Sequence, residues 1–321
     1  MQIRIYQQFV TSRKNIMAPK THLTWLLLLT GGLLSAQETN FNESILFNSD
    51  RTYIQFMEGI VPRRGPNQDG VQKLWFMEAQ ISPAYFARLG KQSRFGLLLS
   101  PKLIIRLADR ESFPIKTPSF MPHLTLYHAV DMPFLTKNKA TRWLFTPDHK
   151  TLFTYKFSHH SNGQKDPFLI PGTRRINFDT GNFTTDYLEL GFIWVSANPE
   201  RKGLTFNGRF AFEQHFEFDR EPLMREIYYY NRYTFENMLF IGKSFRLSTN
   251  VSYMTGKGRF ENKALIDAFL SYRLFQDKTD FSLFVRGYHG PDYYNIRYVN
   301  TQRYIAFGMM ATPAGTPLFR W

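Results

Sequence analysis

Hydrophobic and polar residues alternate along most of the chain beyond about residue 50. In the segment TDYLELGFIWV, Leu188, Leu190 and Trp194 fall on one side, whereas Tyr187 and Glu189 fall on the other. A period of two residues is typical of a β-strand whose two faces meet different surroundings. The same period recurs in strand-length runs along the rest of the chain, so the pattern predicts an all-β protein.

Twelve such runs are separated by turn-forming stretches such as GKSF and NPERKG. They cover residues 52–60, 73–82, 95–107, 123–130, 151–160, 185–196, 204–218, 226–242, 246–254, 264–274, 280–288 and 302–311. A soluble sandwich with its apolar faces inside would show the same alternation. The runs, however, are close to the length of about 9–11 residues with which a tilted strand crosses a bilayer.

The C-terminal sequence PLFRW, which ends on the aromatic Trp321, is also typical of bacterial outer-membrane strands. An even number of strands suits a single-chain barrel, and a closed barrel leaves no unpaired edge in lipid. We therefore predict a twelve-stranded antiparallel transmembrane β-barrel in the bacterial outer membrane.

The composition agrees with this prediction. The chain has 32 Phe, 17 Tyr and 5 Trp, yet its mean hydropathy is −0.35, as expected for strands with one polar face. It has no cysteine, which excludes a disulfide framework. The formal net charge is +14, of which the first 36 residues contribute four, leaving +10. Such a surplus can favour nucleic acid or anionic lipid, but solvated loop and lumen charges explain it equally well.

The N-terminal region resembles a secretory signal. The segment that begins at Met17 carries Lys20, an apolar core over 23–34 and the small-residue sequence SAQ. This core is too short to span a bilayer, and it fits a signal peptide cleaved after Ala36. Residues 1–16 look like an upstream extension. We expect 1–36 to be the signal region and 37–321 a single exported barrel domain, which makes a nucleic-acid partner unsuitable.

The stretch TYKFSHHSNGQKDP, residues 154–167, carries the candidate chemistry. Strand parity places His159 and Ser161 on the face that carries the aromatic residues, and sends His160 to the lumen with Lys156. A histidine within reach of a serine hydroxyl is the minimum for a nucleophile with its general base. The tripeptide alone is common, and a polar strand end near water explains it without catalysis.

Three segments resemble outer membrane phospholipase A. FSHHSNGQKDP is similar to that family's NHxSNGRxDP signature. The segment 111–127 is similar to a family segment with serine, proline and threonine in register, and 287–310 is similar to the family's penultimate hairpin. Together they span most of the predicted barrel in order. The resemblance implies a twelve-stranded barrel with its active site on the outside, at the level of the outer leaflet.

The resemblance also implies the catalytic roles. Ser161 would be the nucleophile, His159 the general base, and the backbone N–H of Gly163 part of the oxyanion hole. An asparagine orients the histidine in the family. Parity places Asp186 where that asparagine lies, which would give a Ser-His-Asp triad. Asn182 shares this parity and is the alternative, and Asp186 can also be read as an ordinary acid at the membrane rim.

A calcium ion supports the oxyanion hole in the family, with oxygen ligands. By resemblance these are Ser112 of the partner subunit and the backbone carbonyls of Gln164 and Leu169. The implied activity is hydrolysis of phospholipid acyl esters, of the A1, A2 and lysophospholipase types, by a homodimer in outer-membrane lipid. The departures from the family, which are Gln164, Asp186 and a longer following loop, leave open a non-enzymatic barrel, either a pore or a structural protein.

Overall fold

A computed structural model describes residues 49–59, 75–88, 93–108, 111–112, 114–141, 149–196, 204–216, 222–242, 244–256, 262–274 and 281–311. The strands are β1 (Thr52–Gly59), β2 (Trp75–Ile81), β3 (Tyr85–Arg88), β4 (Phe95–Ala108), β5 (Ser119–Val130), β6 (His149–Ser161), β7 (Thr184–Ser196), β8 (Leu204–Phe216), β9 (Asn231–Ile241), β10 (Phe245–Thr255), β11 (Ala264–Arg273), β12 (Phe281–Pro291) and β13 (Thr301–Ala311). The short helices are α1 (Pro133–Lys137) and α2 (Pro222–Ile227), and a 3₁₀ turn covers Asn295–Arg297.

The strands close into a barrel. Consecutive strands pair antiparallel from β4 to β13, β13 pairs with β1, and β1 pairs with β2, which returns to β4. Both β2 and β3 pair with β4, so they are two halves of one strand interrupted at residues 82–84. Pro83 lies in this gap, where it cannot donate a ladder hydrogen bond. The predicted twelve-stranded antiparallel barrel is thus confirmed.

Two strand predictions were wrong in detail. The run 73–82 omitted the second half of its strand, which is β3. The run 226–242 began too early, because Pro222–Ile227 is helical and β9 starts at Asn231. Tyr228 and Tyr229 are buried against other loop residues, so tertiary packing overrides their strand preference. The signal region 1–36, the terminal PLFRW and predicted strand ends such as 217–218 lie outside the described residues.

The barrel's outer face is apolar. Along β4, Leu97 and Leu99 are exposed while Leu98 and Ser100 are buried, and β7 and β12 follow the same rule. The face of Leu188 and Leu190 therefore points outward. This arrangement suits a wall that meets lipid on one side and a packed lumen on the other.

Trp194 is an exception on this face, because it is only 1% exposed. Its ring covers the backbone of Gly208 on the neighbouring strand, where a Cβ atom would lie 2.1 Å from the ring. Phe210 and Phe235 border it, with ring centroids 5.5 and 6.4 Å away. The absence of a side chain at Gly208 thus lets an aromatic cluster lie flat on the outer wall.

Paired charges fill the middle of the lumen. Arg106 Nε lies 2.5 Å from Glu78 Oε2, and Arg106 Nη1 lies 2.8 Å from Asp292 Oδ2, with all three side chains fully buried. Arg286 contacts Glu78 at 3.2 Å and Asp267 at 2.7 Å. Buried charges are tolerated when they are paired and hydrogen-bonded in this way. Beside Arg286 and Asp267 the lumen holds a cavity of about 240 Å³.

Apolar loop residues cover one end of this lumen. The cover is formed by the loop residues Phe168, Ile176, Phe183, Met224, Tyr228, Tyr229, Ile296, Tyr298 and Val299. The connections at this end include 162–183 and 292–300, whereas β9 and β10 are joined at the other end by a short turn, beside the longer connection that contains α1. Outer-membrane barrels have long extracellular loops and short periplasmic turns, so we assign the covered end to the cell exterior.

Among the residues that the structure describes, no helix is long and apolar enough to cross a membrane.

Candidate active site on the outer wall

His159 and Asp186 face each other across two neighbouring strands. They are direct partners in the register of β6 and β7, and His159 Nδ1 lies 2.8 Å from Asp186 Oδ1. The histidine side chain is 39% exposed and the aspartate side chain 15%. A carboxylate at Nδ1 keeps the proton on that nitrogen, so Nε2 is left as the basic atom of the ring.

Ser161 lies two residues beyond His159 at the extracellular end of β6, on the same outward face. It is half-buried, and its register partners are Phe120 on β5 and Thr184 on β7. Phe157 and Leu188, which are 49% and 45% exposed, lie on this face toward the membrane centre. The serine and histidine thus lie where an apolar wall meets the extracellular loops.

The chain turns sharply just after Ser161. Gly163 has a φ of +66°, a region that favours glycine, and a Cβ atom there would lie 3.4 Å from the ring of Phe120. Asn162 is buried and organises the turn. Its Oδ1 accepts hydrogen bonds from the backbone N–H groups of Gln164 and Phe183, and its Nδ2 donates to the carbonyl of Gly181.

Asp186 and Asn182, the two candidates for the residue that orients the histidine, have different hydrogen-bond partners. Asp186 contacts the histidine, whereas Asn182 Oδ1 accepts a hydrogen bond from the Thr184 hydroxyl at 3.3 Å. His160 points into the lumen, where its Nε2 lies 2.6 Å from Ser119 Oγ. The two adjacent histidines therefore have separate environments, one on the lipid-facing wall and one in the buried interior.

The predicted calcium ligands lie on loops at the same end. Ser112 is exposed in a turn and has a φ of +64°, and Gln164 is half-buried next to Gly163. Leu169 pairs with Ile176 in a small hairpin, and the hydrogen bonds of this bridge are made by their flanking residues. Within the described ranges, no group of three or more His, Cys, Asp or Glu could hold a metal, so a site here would rely on hydroxyl and carbonyl oxygens.

Sequence reasoning missed two residues of this region. Asn162 follows the serine directly, and its burial and three hydrogen bonds to the backbone could not be read from its position. Phe120 on β5 is the register partner of Ser161, and its ring lies next to Gly163. Only the strand register brings these residues together. An Asn-Gly pair after a strand is nonetheless a turn signal, and it could have indicated the tight turn.

A closed barrel with an apolar exterior, a charged interior and covering loops defines a bacterial outer-membrane protein. Its fold is that of outer membrane phospholipase A. A structure of that protein from Escherichia coli matches with a TM-score of 0.56 and 16% identity, covering 85% of this chain and 97% of the other. A structure of an active-site mutant of the same protein matches with a TM-score of 0.58, the same identity and the same coverage.

The outer membrane phospholipase of Salmonella typhi, solved as a dimer with bound calcium, matches with a TM-score of 0.54 and 16% identity. The match covers 84% of this chain and 96% of that chain. No protein-family model and no curated protein matches the sequence. The comparisons therefore establish likeness at the level of the fold.

Proposed function

We propose that this protein is an outer-membrane phospholipase A. The observation that carries the proposal is the 2.8 Å contact between His159 Nδ1 and Asp186 Oδ1, with Ser161 on the same outward face. The phospholipase fold and the resemblance of residues 157–167 to the family signature support it. Ionisable side chains on a lipid-facing wall are costly, and they mark functional sites more often than chance arrangements, which favours a site at this pair.

Ser161 performs the first step. Its Oγ attacks the carbonyl carbon of an acyl ester while His159 Nε2 takes the hydroxyl proton. Asp186 holds the ring at Nδ1 and stabilises the imidazolium that forms. The tetrahedral intermediate collapses when the ester C–O bond breaks, and the imidazolium donates its proton to the leaving alkoxide. The products of this step are a lysophospholipid and an acyl-enzyme on Ser161.

Water completes the cycle by the same proton transfers. His159 Nε2 takes a proton from a water molecule, whose oxygen attacks the acyl carbonyl. When the second tetrahedral intermediate collapses, Ser161 Oγ leaves with the proton from the imidazolium and a fatty acid is released. The backbone N–H of Gly163, in the turn after the nucleophile, supplies a hydrogen bond to the developing oxyanion.

The oxygen donors near the site suit calcium, which prefers hydroxyl, carbonyl and carboxylate oxygens. In this proposal the Ser112 hydroxyl of the partner subunit and the carbonyls of Gln164 and Leu169 would hold the ion. Ser112 is exposed, and the hydrogen bonds of the Leu169 bridge are made by residues 168, 170, 175 and 177, so neither observation conflicts with such a role. Bound calcium would supply positive charge that polarises the ester carbonyl.

The position of the site indicates its substrate. The acyl esters of a phospholipid lie at the boundary between the headgroups and the hydrocarbon, which is the depth of the ends of β6 and β7. Phe157 and Leu188 offer exposed apolar surface to an acyl chain below that boundary. We therefore propose phospholipids of the outer leaflet as the substrate, cleaved by a homodimer in which each barrel completes its partner's calcium site.

Labelling and hydrolysis test the proposal. Purified protein, folded in detergent with calcium, should react with a fluorophosphonate at Ser161 and should hydrolyse phospholipid. Ser161→Ala should abolish both, EDTA should abolish hydrolysis, and Ser93→Ala, at a half-buried serine of the opposite end, should change neither. Absence of label and of hydrolysis in the folded protein would refute the proposed function.

A non-enzymatic barrel is the competing interpretation. As a pore it would need an open lumen, whereas the described interior contains buried ion pairs under an apolar cover. The interior therefore disfavours a pore, and conductance of the folded protein in planar bilayers distinguishes the two functions. A purely structural barrel predicts neither labelling nor conductance.

A further inference from the structure

A chain of side-chain hydrogen bonds lies on the lumen side of the wall, behind His159 and Asp186. The next pair in the ladder of β6 and β7 is His160 with Thr185, and both of these side chains are buried. Neighbouring residues of a strand point to opposite faces, so this inner pair lies across the wall from the outer pair. The lumen side chains can therefore influence the outer pair through the two strands.

Thr185 is bonded to His215 on the next strand, β8. Thr185 Oγ1 lies 2.8 Å from His215 Nδ1, and His215 Nε2 lies 2.7 Å from Glu213 Oε1. The carboxylate accepts a hydrogen bond from Nε2–H, so Nδ1 of the neutral ring accepts from the Thr185 hydroxyl. Arg232 Nη2 lies 2.6 Å from Glu213 Oε2 and holds the carboxylate in turn. We refer to Thr185, His215 and Glu213 as the inner chain.

The inner chain is buried and tightly packed. All three of its residues are less than 5% exposed. The rings of Tyr228 and Tyr229 meet the His215 ring edge-on, each with its centroid 4.9 Å away. A ring that is packed by two aromatic neighbours and bonded at both nitrogens has little freedom to rotate. His215 therefore offers Thr185 an acceptor at a fixed position.

The strand register explains why this bond matters at Asp186. In the described ladders, the pairing of β7 with β8 ends at Asp186, whose partner is Phe216. Toward the extracellular end, Thr184 and Thr185 continue the described pairing with β6 alone. A strand end that is paired on one side opens more easily than one paired on both. The bond from Thr185 to His215 ties this end of β7 to β8, one residue beyond the last rung.

We propose that the inner chain positions Asp186 against His159, with Thr185 and His215 as positioning residues that do not touch the substrate. This inference rests on the proposed function, because His159 and Asp186 are its general base and the residue that orients it. A shift of β7 at this end would lengthen the 2.8 Å contact between their side chains. Misplacement of a reacting group by about 1 Å can slow a reaction about 100-fold, so a tie at this end of the strand has a catalytic consequence.

Two variants of Thr185 test the inference in steady-state hydrolysis of a phospholipid. Thr185→Val keeps the shape of the side chain and removes the hydroxyl, whereas Thr185→Ser keeps the hydroxyl. A neutral hydrogen bond contributes about fivefold to an equilibrium, so Thr185→Val should lower kcat about fivefold and leave KM unchanged. Thr185→Ser should keep kcat close to the wild type. The matched control is Thr234→Val, which removes another buried lumen hydroxyl, bonded to Ser252 at 3.0 Å, and should change neither constant.

A double-mutant cycle with Asp186→Ala separates positioning from a general loss of stability. If Thr185 acts through Asp186, then Thr185→Val should lower kcat much less in the Asp186→Ala background than in the wild type. An equal loss in both backgrounds, or full activity in folded Thr185→Val, would overturn the inference. If Thr185→Val does not fold, as judged by heat modifiability in gels, Thr185→Ala takes its place in the cycle.

Nuclear magnetic resonance of protein with isotope-labelled histidine tests the positioning without turnover. The proton on His159 Nδ1, assigned by its loss in His159→Gln, should give a downfield signal because a carboxylate accepts it. The signal should weaken in Thr185→Val and persist in Thr185→Ser and Thr234→Val. An unchanged signal in Thr185→Val would overturn this inference, whereas absence of hydrolysis by the wild type would refute the proposed function and leave this measurement to decide the positioning.

Discussion

The contact between Asp186 and His159 makes a quantitative prediction about catalysis. Replacing Asp186 by alanine removes the acceptor at His159 Nδ1 and leaves the serine and the histidine in place. The imidazole can then rotate or adopt the wrong tautomer, and the imidazolium formed in catalysis loses its counter-charge. Replacement by asparagine keeps an acceptor oxygen, since the amide can present Oδ1 to the same N–H group.

The size of the effect follows from the geometry. A hydrogen bond to a charged group contributes about 1.5–3 kcal/mol, and about 1.4 kcal/mol corresponds to a tenfold change in rate. The histidine side chain is 39% exposed, so water replaces part of the lost contact. We expect Asp186→Ala to lower kcat by about 10- to 50-fold, which corresponds to the lower part of that free-energy range. Asp186→Asn loses the charge alone and should stay within about tenfold of the wild type.

The assay is steady-state hydrolysis of a phospholipid in mixed micelles with calcium, with heat modifiability as the check on folding. Asn182→Ala serves as the matched control, because its side chain bonds Thr184 and should leave kcat unchanged. Full activity in folded Asp186→Ala, or an equal loss in Asn182→Ala, would refute the role of Asp186. Asparagine as damaging as alanine would show that the charge, and not the hydrogen bond, carries the effect.

Three further predictions concern the metal, the outer wall and the lumen. EDTA should abolish hydrolysis and calcium should restore it, while Ser112→Ala should raise the calcium concentration needed for half activity about tenfold or more. Gly208→Ala should destabilise the barrel by about 1–3 kcal/mol in urea unfolding, because its Cβ would overlap the ring of Trp194, whereas Gly287→Ala, with open space around it, should not. Arg106→Ala should cost about 3–5 kcal/mol in the same measurement, because it leaves buried carboxylates unpaired.

Much of the barrel could be predicted because strand periodicity is a local property. Side chains alternate between the two faces of any strand, so parity alone separated His159 from His160. The same rule placed Leu188 and Leu190 on the lipid side. Local patterns fail where long-range packing decides the conformation. Residues 226–230 contain aromatic residues typical of strands. In the structure α2 ends at Ile227, and Tyr228 and Tyr229 pack in the apolar cover of the lumen.

The strand faces, the number of strands and the position of the serine at a strand end could all be predicted from the amino-acid sequence. Which of Asp186 and Asn182 contacts His159 is visible only in the tertiary structure, where Asp186 makes the contact. These residues share the same parity, and the choice depends on the register of β6 against β7, which is set by hydrogen bonds between separate strands. Closure brings such residues together, because it fixes the register of every strand against its neighbours at once.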